Sequence, residues 1–341
     1  MKKFSWLAAA GLCWLTPIAT LEPPAHAQTL IQNPMTLAVP IAPAAPASTP
    51  SITTQPALLA QTSPTSGLEL LTPGVEPRQV FRFTPSLGAT QQMRLVIQAD
   101  TRATMNDQAL PTIALPEITM AVETTVTEVA ADGGYTGQFV YQDVTVGESE
   151  SLPPNFTQVL RDQLQIVAGL TGEFRFDAQG NLQDFDVELP ETNDPLAQQL
   201  LEQISETFEQ LSSPFPTAAI GLGAQWRVPQ AISVSGIEFT QLTTYELVAQ
   251  EGDRLTLAFA SEQSGAGNLK DFPGMPEGFE PEIEALSSAG SGELTLDLNQ
   301  LLPVAMQLEA VTDMTLSLDA PNRPEPLKFD VTVEMVMGLE G

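Results

Sequence analysis

Residues 328–337 read Lys-Phe-Asp-Val-Thr-Val-Glu-Met-Val-Met, and from Phe329 onward apolar side chains occupy every second position. In an extended chain, Phe329 and Val331 fall on one side and Asp330 and Thr332 fall on the other. A period of two with one polar side is typical of an antiparallel sheet that is covered on one face only. This stretch therefore predicts a strand of such a sheet.

The same alternation recurs along most of the chain after residue 67, for example over residues 93–97, 255–259 and 292–298. Glycine-containing turn sequences separate these runs and are typical of β-hairpins. They include Asp132-Gly133-Gly134, Gln179-Gly180-Asn181 and Glu251-Gly252-Asp253. We therefore expect about a dozen strands in one large, curved antiparallel sheet.

Three stretches have helical periodicity instead. The first begins at Asn193-Asp194-Pro195, continues with apolar residues spaced by three or four up to Leu211, and ends before Pro214. The second covers residues 156–168 and the third covers residues 281–287. The predicted fold class is mainly β (α+β), with two or three short amphipathic helices packed on one face of the sheet.

The chain also shows signs of an internal duplication. The sequence Gly-Glu-Phe-Arg-Phe-Asp at residues 172–177 is followed 120 positions later by Gly-Glu-Leu-Thr-Leu-Asp at residues 292–297. Residues 117–189 and 237–309 are predicted to be two copies of one unit, consisting of a hairpin, a helix and a second hairpin. A unit of this size leaves too much apolar surface to be stable alone, so the two copies are expected to share one sheet.

The N-terminus has the features of a cleavable export signal. Two lysines precede an apolar stretch over residues 4–18, and small residues follow at the positions that a signal peptidase reads. Residues 1–27 are therefore predicted to be a signal peptide that is cleaved between Ala27 and Gln28. No later segment is long and apolar enough to span a membrane. The mature protein is expected to be soluble and extracytoplasmic, either periplasmic or secreted.

Residues 28–68 contain seven prolines and no charged side chain. Proline at this density disrupts both helices and central strands, so the segment is predicted to be a disordered, Pro/Ala/Thr-rich linker. Residues 69–341 are predicted to form a single β-rich domain.

The composition excludes several kinds of chemistry. The chain has 42 acidic and 13 basic residues, one cysteine and one histidine, and both Cys13 and His26 lie within the predicted signal peptide. The mature protein would then have no thiol nucleophile, no Cys/His metal site and no histidine base. Its formal net charge is strongly negative, so nucleic acid is not an expected partner.

Candidate sites in the domain each have a structural alternative. Residues 177–184 place carboxylates around a glycine but have too few oxygen ligands for a calcium loop, so a hairpin turn is favoured. The pair Glu148 and Glu150, like the glutamates at 280, 282 and 284, is interpreted as solvated surface. Trp226 is expected in the core rather than in a stacking site. We predict no catalytic residue, no metal site and no cofactor.

The segment FPTAAIGLGAQW (residues 215–226), the TTYEL strand (243–247) and the later Gly-Glu-x-x-x-Asp strand together resemble a family of secreted bacterial proteins known only as a domain of unknown function. The usual Gly-Asp-x-Trp element of that family differs here, because Ala224 replaces the aspartate. The overall layout is also similar to the half-barrels of the lipoprotein-carrier type (LolA-like and LppX-like). That resemblance implies a curved sheet and helices that enclose an apolar cavity for acyl chains.

Two functions remain open at this point. The first is a non-enzymatic exported protein that binds a lipid-like or other hydrophobic ligand between the sheet and the helices. The second is a structural or protein-interaction module of the cell envelope, with a filled core. The sequence identifies no ligand-binding residue for either function.

Overall fold

A computed structural model of the protein describes residues 67–149, 151–188, 214–234, 237–268, 280–319 and 325–341. Within these ranges the chain is mainly β and forms one antiparallel sheet of fourteen strands. The coarse prediction of a large antiparallel sheet is confirmed, and the number of strands is slightly higher than expected.

The strands are β1 (Glu69–Thr72), β2 (Thr90–Met105), β3 (Gln108–Ala109), β4 (Ile113–Ala114), β5 (Ile118–Val129), β6 (Tyr135–Val146), β7 (Thr171–Phe176), β8 (Leu182–Glu188), β9 (Gln225–Val234), β10 (Ile237–Glu251), β11 (Arg254–Asn268), β12 (Glu280–Asp297), β13 (Ala305–Asp319) and β14 (Leu327–Glu340). Twelve of them follow one path across the sheet, in the order β1-β9-β10-β11-β12-β13-β14-β2-β5-β6-β7-β8, while β3 and β4 pair with β2. The three predicted hairpin turns connect β5 to β6, β7 to β8 and β10 to β11.

The strands alternate between buried and exposed residues, as their sequences predict. In β14, Val331, Val333, Met335 and Met337 are buried, and Glu334 between them is exposed. We call the side that carries the buried residues the inner face of the sheet and the opposite side its outer face. On folding, the apolar side chains of the inner face are transferred out of water. This burial provides the main driving force for folding.

The structure describes one α-helix, α1 (Pro154–Leu164), which continues as a short 3₁₀-helix at Gln165–Val167. It confirms the predicted helix over residues 156–168. Pro153 accepts a hydrogen bond from the backbone N–H of Phe156 at the start of the helix. Phe156 and Leu160 are buried because they lie on the apolar side of the helix.

The other two helix predictions have different outcomes. The helix expected between Asn193 and Leu211 lies outside the described residues. The helix expected over residues 281–287 is wrong, because these residues belong to β12. Ile283 and Leu286 both lie on the inner face, although three positions separate them. The register of β12 against β13 shifts between Ile283 and Ala285, and the extra residue of this bulge produces a spacing that imitates a helix.

Strands far apart in the sheet order contribute to one apolar cluster. Rings pack in series from Trp226 through Phe215 and Phe83 to Tyr135, with successive ring centroids 6.1, 5.6 and 6.1 Å apart. Trp226 lies in β9 and Tyr135 lies in β6, which are eight positions apart in the strand order, and the loop residues Phe215 and Phe83 bridge them. We call this large aromatic core the first apolar cluster.

A second apolar cluster lies farther along the same strands. It contains no tryptophan or tyrosine and is built mainly from small, aliphatic and methionine side chains. Its buried members include Ala99, Ala310, Met314, Met335 and Phe239. Methionine is flexible and fills irregular spaces, so this cluster is less tightly defined by its side-chain shapes than the first one.

Two cross-strand pairs 120 residues apart have the same composition. Phe139 faces Gly172 between β6 and β7, and Phe259 faces Gly292 between β11 and β12. In each pair the phenyl ring occupies the space that a Cβ atom on the glycine would need. The pairs agree in spacing with the proposed duplication, which remains a prediction. A helix follows the hairpin in the first copy, whereas the described residues 280–287 of the second copy belong to strand β12.

Candidate functional site

A row of seven cross-strand partners, six of them polar, crosses the inner face, and on β10, β11 and β12 it lies between the two apolar clusters. The row is defined by direct cross-strand pairing and takes one residue from each of seven neighbouring strands, β9 to β14 and then β2. At a strand spacing of about 4.8 Å it is about 29 Å long. Its members are Gln230, Gln241, Gln263, Ser288, Thr312, Val333 and Thr101. We call these residues the polar row.

Some side chains of the polar row form hydrogen bonds with one another or with neighbouring inward side chains. The hydroxyl groups of Ser288 and Thr312 form a hydrogen bond of 2.8 Å. The side-chain amide of Gln241 donates to the hydroxyl of Thr243 at 3.0 Å. Thr243 in turn donates to Ser261 at 3.4 Å. All five side chains are buried. These hydrogen bonds therefore replace the hydrogen bonds to water that the side chains lose on folding.

Other atoms of the row have no partner within the described part of the chain. They are both polar atoms of the Gln263 side chain, Oε1 of Gln241 and Oγ1 of Thr101. Gln263 is only 3% exposed, so bulk water does not satisfy it. Each buried polar group without a hydrogen bond costs about 1–3 kcal/mol. Three of the four atoms belong to the Gln241–Gln263 pair, and a bound molecule with hydrogen-bonding groups at this pair would remove their cost.

A different buried glutamine shows how this protein satisfies such a side chain when it serves the core. Gln91 is 7% exposed, and its amide donates to the carbonyl oxygens of Leu302 and Pro303 at 3.1 Å. Its Oε1 accepts a hydrogen bond from the backbone N–H of Leu302. Gln91 is therefore a structural residue of the loop that follows β12, and Gln263 differs from it by the absence of any such partner within the described residues.

Small side chains lie next to the polar row, toward the first apolar cluster. Two positions along each strand from the polar row, the paired residues are Ser261, Gly290, Ala310, Met335 and Ala99. We call these five residues the small row, since all except Met335 have small side chains or none. All five line a depression of about 890 Å³ at the middle of β11, β12, β13, β14 and β2. Outer-face residues such as Glu309 and Val311 also line it, and the residues of the polar row do not. A volume of this size is within the range of small-molecule sites.

The ionisable side chains that line the depression are all acidic and belong to exposed positions. Among them are Glu262, Glu309 and Glu334. Glu334 accepts a hydrogen bond from the guanidinium group of Arg102, and this bond, assisted by the charge of Glu334, raises the pKa of Arg102 above its ordinary value. The polar row and the small row contain no ionisable residue. The inward surface is neutral, and its surroundings are negatively charged.

The described residues of the first apolar cluster surround a small cavity. Its volume is about 10 Å³, and it lies near Phe83, Tyr135 and Phe176. Burial raises the pKa of Tyr135 well above its ordinary value, and the negative charge of Asp177 adds to this effect. Burial also raises the pKa of Tyr141. This end of the sheet is filled by interlocking rings.

The sites considered from the sequence are placed as follows. The Asp177 carboxylate accepts hydrogen bonds from the backbone N–H groups of Gln179 and Asn181, so it holds the β7–β8 turn together. Trp226 is fully buried and donates to the carbonyl oxygen of Pro214, which confirms its expected place in the core. Glu282 is exposed on β12. Glu150 lies outside the described residues.

The described residues contain neither a metal-binding cluster nor a membrane-spanning helix. Across these ranges, no group of three or more histidine, cysteine, aspartate or glutamate side chains could hold a metal ion. No helix in the same part of the chain has the length and apolar character needed to cross a membrane. The predicted cleavage between Ala27 and Gln28 lies outside the described residues and stays a prediction.

Sequence reasoning did not identify the polar row. Gln241, Ser261, Gln263 and Ser288 interrupt the apolar alternation, and each lies at an inward position of its strand. A polar residue at an inward position of a predicted strand was the feature of the sequence that could have indicated the row. Its significance depends on register, because only cross-strand pairing shows that these interruptions lie side by side.

Comparisons with known proteins give no family. No family model matches the chain, and no curated protein is similar to it at a significant level. Among solved structures, the chain is similar to one titled "Lipid-protein interactions in lipovitellin", with a TM-score of 0.33 and 11% identity over 75% of this chain. The chain spans 25% of the length of that structure.

Two outer-membrane structures are less similar. OmpT of Vibrio cholerae has a TM-score of 0.17 and 6% identity, covering 74% of this chain and 100% of that one. A mutant of the Rh. blastica porin has a TM-score of 0.17 and 9% identity, covering 73% of this chain and 100% of that one. At such TM-scores these likenesses do not define a shared fold. The resemblance to a secreted family of unknown function stays a prediction.

Proposed function

We propose that the protein is an exported, non-enzymatic binder of a hydrophobic or amphiphilic ligand. In this proposal the ligand lies against the inner face of the sheet, along the second apolar cluster and the polar row. One observation carries the proposal. The side chain of Gln263 is buried between two apolar regions and has no hydrogen-bond partner within the described chain.

The composition of the inner face supports this location. The second apolar cluster provides methionine and aliphatic side chains that adapt to an apolar chain. The small row removes side-chain volume next to the polar row, because its members include Gly290, Ala310 and Ala99. An apolar ligand could thus lie along the sheet while a polar group contacts the row.

Export is proposed from the N-terminal sequence alone. An extracytoplasmic binder of apolar molecules would use the segment over residues 28–68 as a tether, and its acidic surface would keep it apart from nucleic acid and from anionic lipid headgroups. The absence of histidine and cysteine after residue 27 favours a binding role over an enzymatic one.

A structural or protein-interaction module of the cell envelope is the second candidate function. The aromatic end of the sheet favours it, since its rings pack closely and the cavity that the described residues form near Phe83 and Tyr135 is about 10 Å³. The exposed valines Val311 and Val336 also line the depression together with carboxylates, and this combination fits a protein surface. The two candidates differ in whether the inner face takes up a small molecule.

Native mass spectrometry of the full-length protein, purified without detergent and incubated with oleyl alcohol, tests the proposed function. We expect one or two oleyl alcohol molecules to remain bound in the gas phase and to be lost on denaturation. A protein that takes up neither oleyl alcohol nor a matched C18 alkene would contradict ligand binding and favour the interaction module.

Two matched variants locate the site. Ala310→Leu fills the small row on the inner face of β13, and Ala258→Leu makes the same change on the outer face of β11, two strands away. We expect Ala310→Leu to weaken uptake of oleyl alcohol by about tenfold, which corresponds to the loss of well-packed apolar contact worth about 1.4 kcal/mol. Ala258→Leu should leave uptake unchanged. Equal effects of the two variants would contradict the proposed location.

A further inference from the structure

We infer that the ligand carries an uncharged polar group and that the paired glutamines Gln241 and Gln263 recognise it. This inference rests on the proposed function and specifies the class of ligand. The group must both donate and accept hydrogen bonds, as a primary or secondary amide or a hydroxyl does. Free carboxylates and phosphate headgroups are excluded from this class.

The unpartnered atoms define the group by complementarity. Gln263 presents an NH₂ donor and a carbonyl acceptor, and both lack a partner within the described residues. Opposite it, Gln241 uses its NH₂ group on Thr243 and leaves its carbonyl oxygen unpartnered. A ligand group that accepts from the Gln263 amide and donates to a glutamine carbonyl would satisfy these atoms together.

The absence of positive charge along the two rows sets the charge of that group. No lysine, arginine or histidine occurs in the polar row or at the seven neighbouring positions toward the first apolar cluster. These seven positions are Val228, Thr243, Ser261, Gly290, Ala310, Met335 and Ala99. A buried anion without a cationic partner or several hydrogen-bond donors is strongly destabilised. Glu262 and Glu309, which line the depression from the outer face, would repel an anion further.

The two ends of the polar row are expected to differ in importance. Thr101 also has an unpartnered hydroxyl, but four strand spacings, or about 19 Å along the sheet, separate it from Gln263. A ligand with one polar group cannot reach both. The glutamine pair offers three unpartnered atoms and Thr101 offers one, so we assign the recognition of the polar group to the glutamine pair.

The test measures the affinity of the full-length protein at pH 8 for four compounds with C18 chains. They are oleamide, oleic acid, oleylamine and 1-octadecene. The structure predicts that oleamide binds at least about tenfold more tightly than oleate and than octadecene, as expected for one or two buried hydrogen bonds. Tightest binding of oleate or of oleylamine would overturn the inference. Failure of all four compounds to bind would instead overturn the proposed function.

Three variants assign the selectivity to its residue. Gln263→Leu should remove the preference for oleamide over octadecene, an effect of about tenfold, while octadecene itself still binds. Two control variants, Thr101→Val and Gln307→Leu, should each change the preference by less than about threefold. Gln307→Leu makes the same glutamine-to-leucine change at an exposed position of β13. Retention of the preference in Gln263→Leu, or an equal loss in Thr101→Val, would refute the assignment.

Discussion

Gln263 lies directly opposite Gln241 in the β10–β11 ladder, yet its amide forms no hydrogen bond with Gln241 or with any other described residue. We predict that Gln263→Leu raises the free energy of unfolding of the ligand-free protein by about 1–2 kcal/mol, because two buried groups without partners are replaced by an apolar side chain of similar size. Urea denaturation of the full-length protein measures this change. The same substitution is expected to impair selectivity for the ligand, which is a typical trade-off between stability and function.

Gln91 provides the control for this prediction, since it is an equally buried glutamine whose amide is fully used. Gln91→Leu should lower the free energy of unfolding by about 2–4 kcal/mol, because backbone groups of Leu302 and Pro303 lose their partner. If Gln263→Leu destabilises the protein to a similar extent, its amide is satisfied in the folded state and the polar row is structural.

The buried tyrosines predict a loss of stability at high pH. Burial raises the pKa values of Tyr135 and Tyr141 above their ordinary value. Above about pH 10, the unfolded chain loses these protons while the folded protein keeps them, so the unfolded state binds fewer protons and stability falls as pH rises. We expect a decrease of up to about 1.4 kcal/mol per pH unit for each tyrosine above pH 10, and no contribution from them below about pH 9.

Urea denaturation at a series of pH values between 8 and 11.5 measures this effect. In Tyr135→Phe, the free energy of unfolding should fall less steeply with pH above about pH 10, because one of the two tyrosine contributions is removed. An unchanged slope in this variant would show that Tyr135 does not remain protonated in the folded protein, and it would contradict its placement in the filled aromatic end.

Glycines in the sheet are expected to respond to substitution in opposite directions. A Cβ atom at Gly292 would overlap the backbone carbonyl oxygen of Gln307 and crowd the ring of Phe259. Gly292→Ala should therefore destabilise the protein by about 2 kcal/mol or more, through overpacking and displacement of β13. At Gly338 a Cβ atom meets nothing within 4 Å, and Gly338→Ala should stabilise the protein by about 0.5–1 kcal/mol.

Thermal unfolding of both glycine variants, followed by circular dichroism, checks this prediction. A Gly292→Ala protein as stable as the parent would mean that the cross-strand pair with Phe259 is not packed as described. The comparison also bears on the proposed duplication, because Gly172 has the same relationship to Phe139 and should be equally intolerant of alanine.

Most of the fold follows from local sequence patterns. Alternation in stretches such as residues 328–337 reports directly on a sheet with one covered face, and the glycine turns mark its hairpins. The error over residues 281–287 has a local cause as well. A bulge between Ile283 and Ala285 shifts the alternation by one residue, and the resulting spacing of Ile283 and Leu286 is indistinguishable from one helical turn.

The candidate site could not be predicted in the same way. Gln241, Gln263 and Thr101 each interrupt the apolar alternation of their own strand, and an inward polar residue is usually satisfied by a neighbour, as Gln91 is. Two non-local facts were needed. The register of seven strands aligns these residues in one row, and the three-dimensional packing leaves four of their polar atoms without a partner among the described residues.

Photo-cross-linking tests the central claim most directly, because it reports where a ligand lies. The full-length protein is irradiated with a C18 primary amide that carries a diazirine in the middle of its chain, and the modified residues are identified by tandem mass spectrometry. We predict modification at inward positions of the second apolar cluster, such as Met314 and Met335, with competition by excess oleamide. Labelling confined to the exposed Val311 and Val336, or the absence of competable labelling, would contradict a binding site on the inner face.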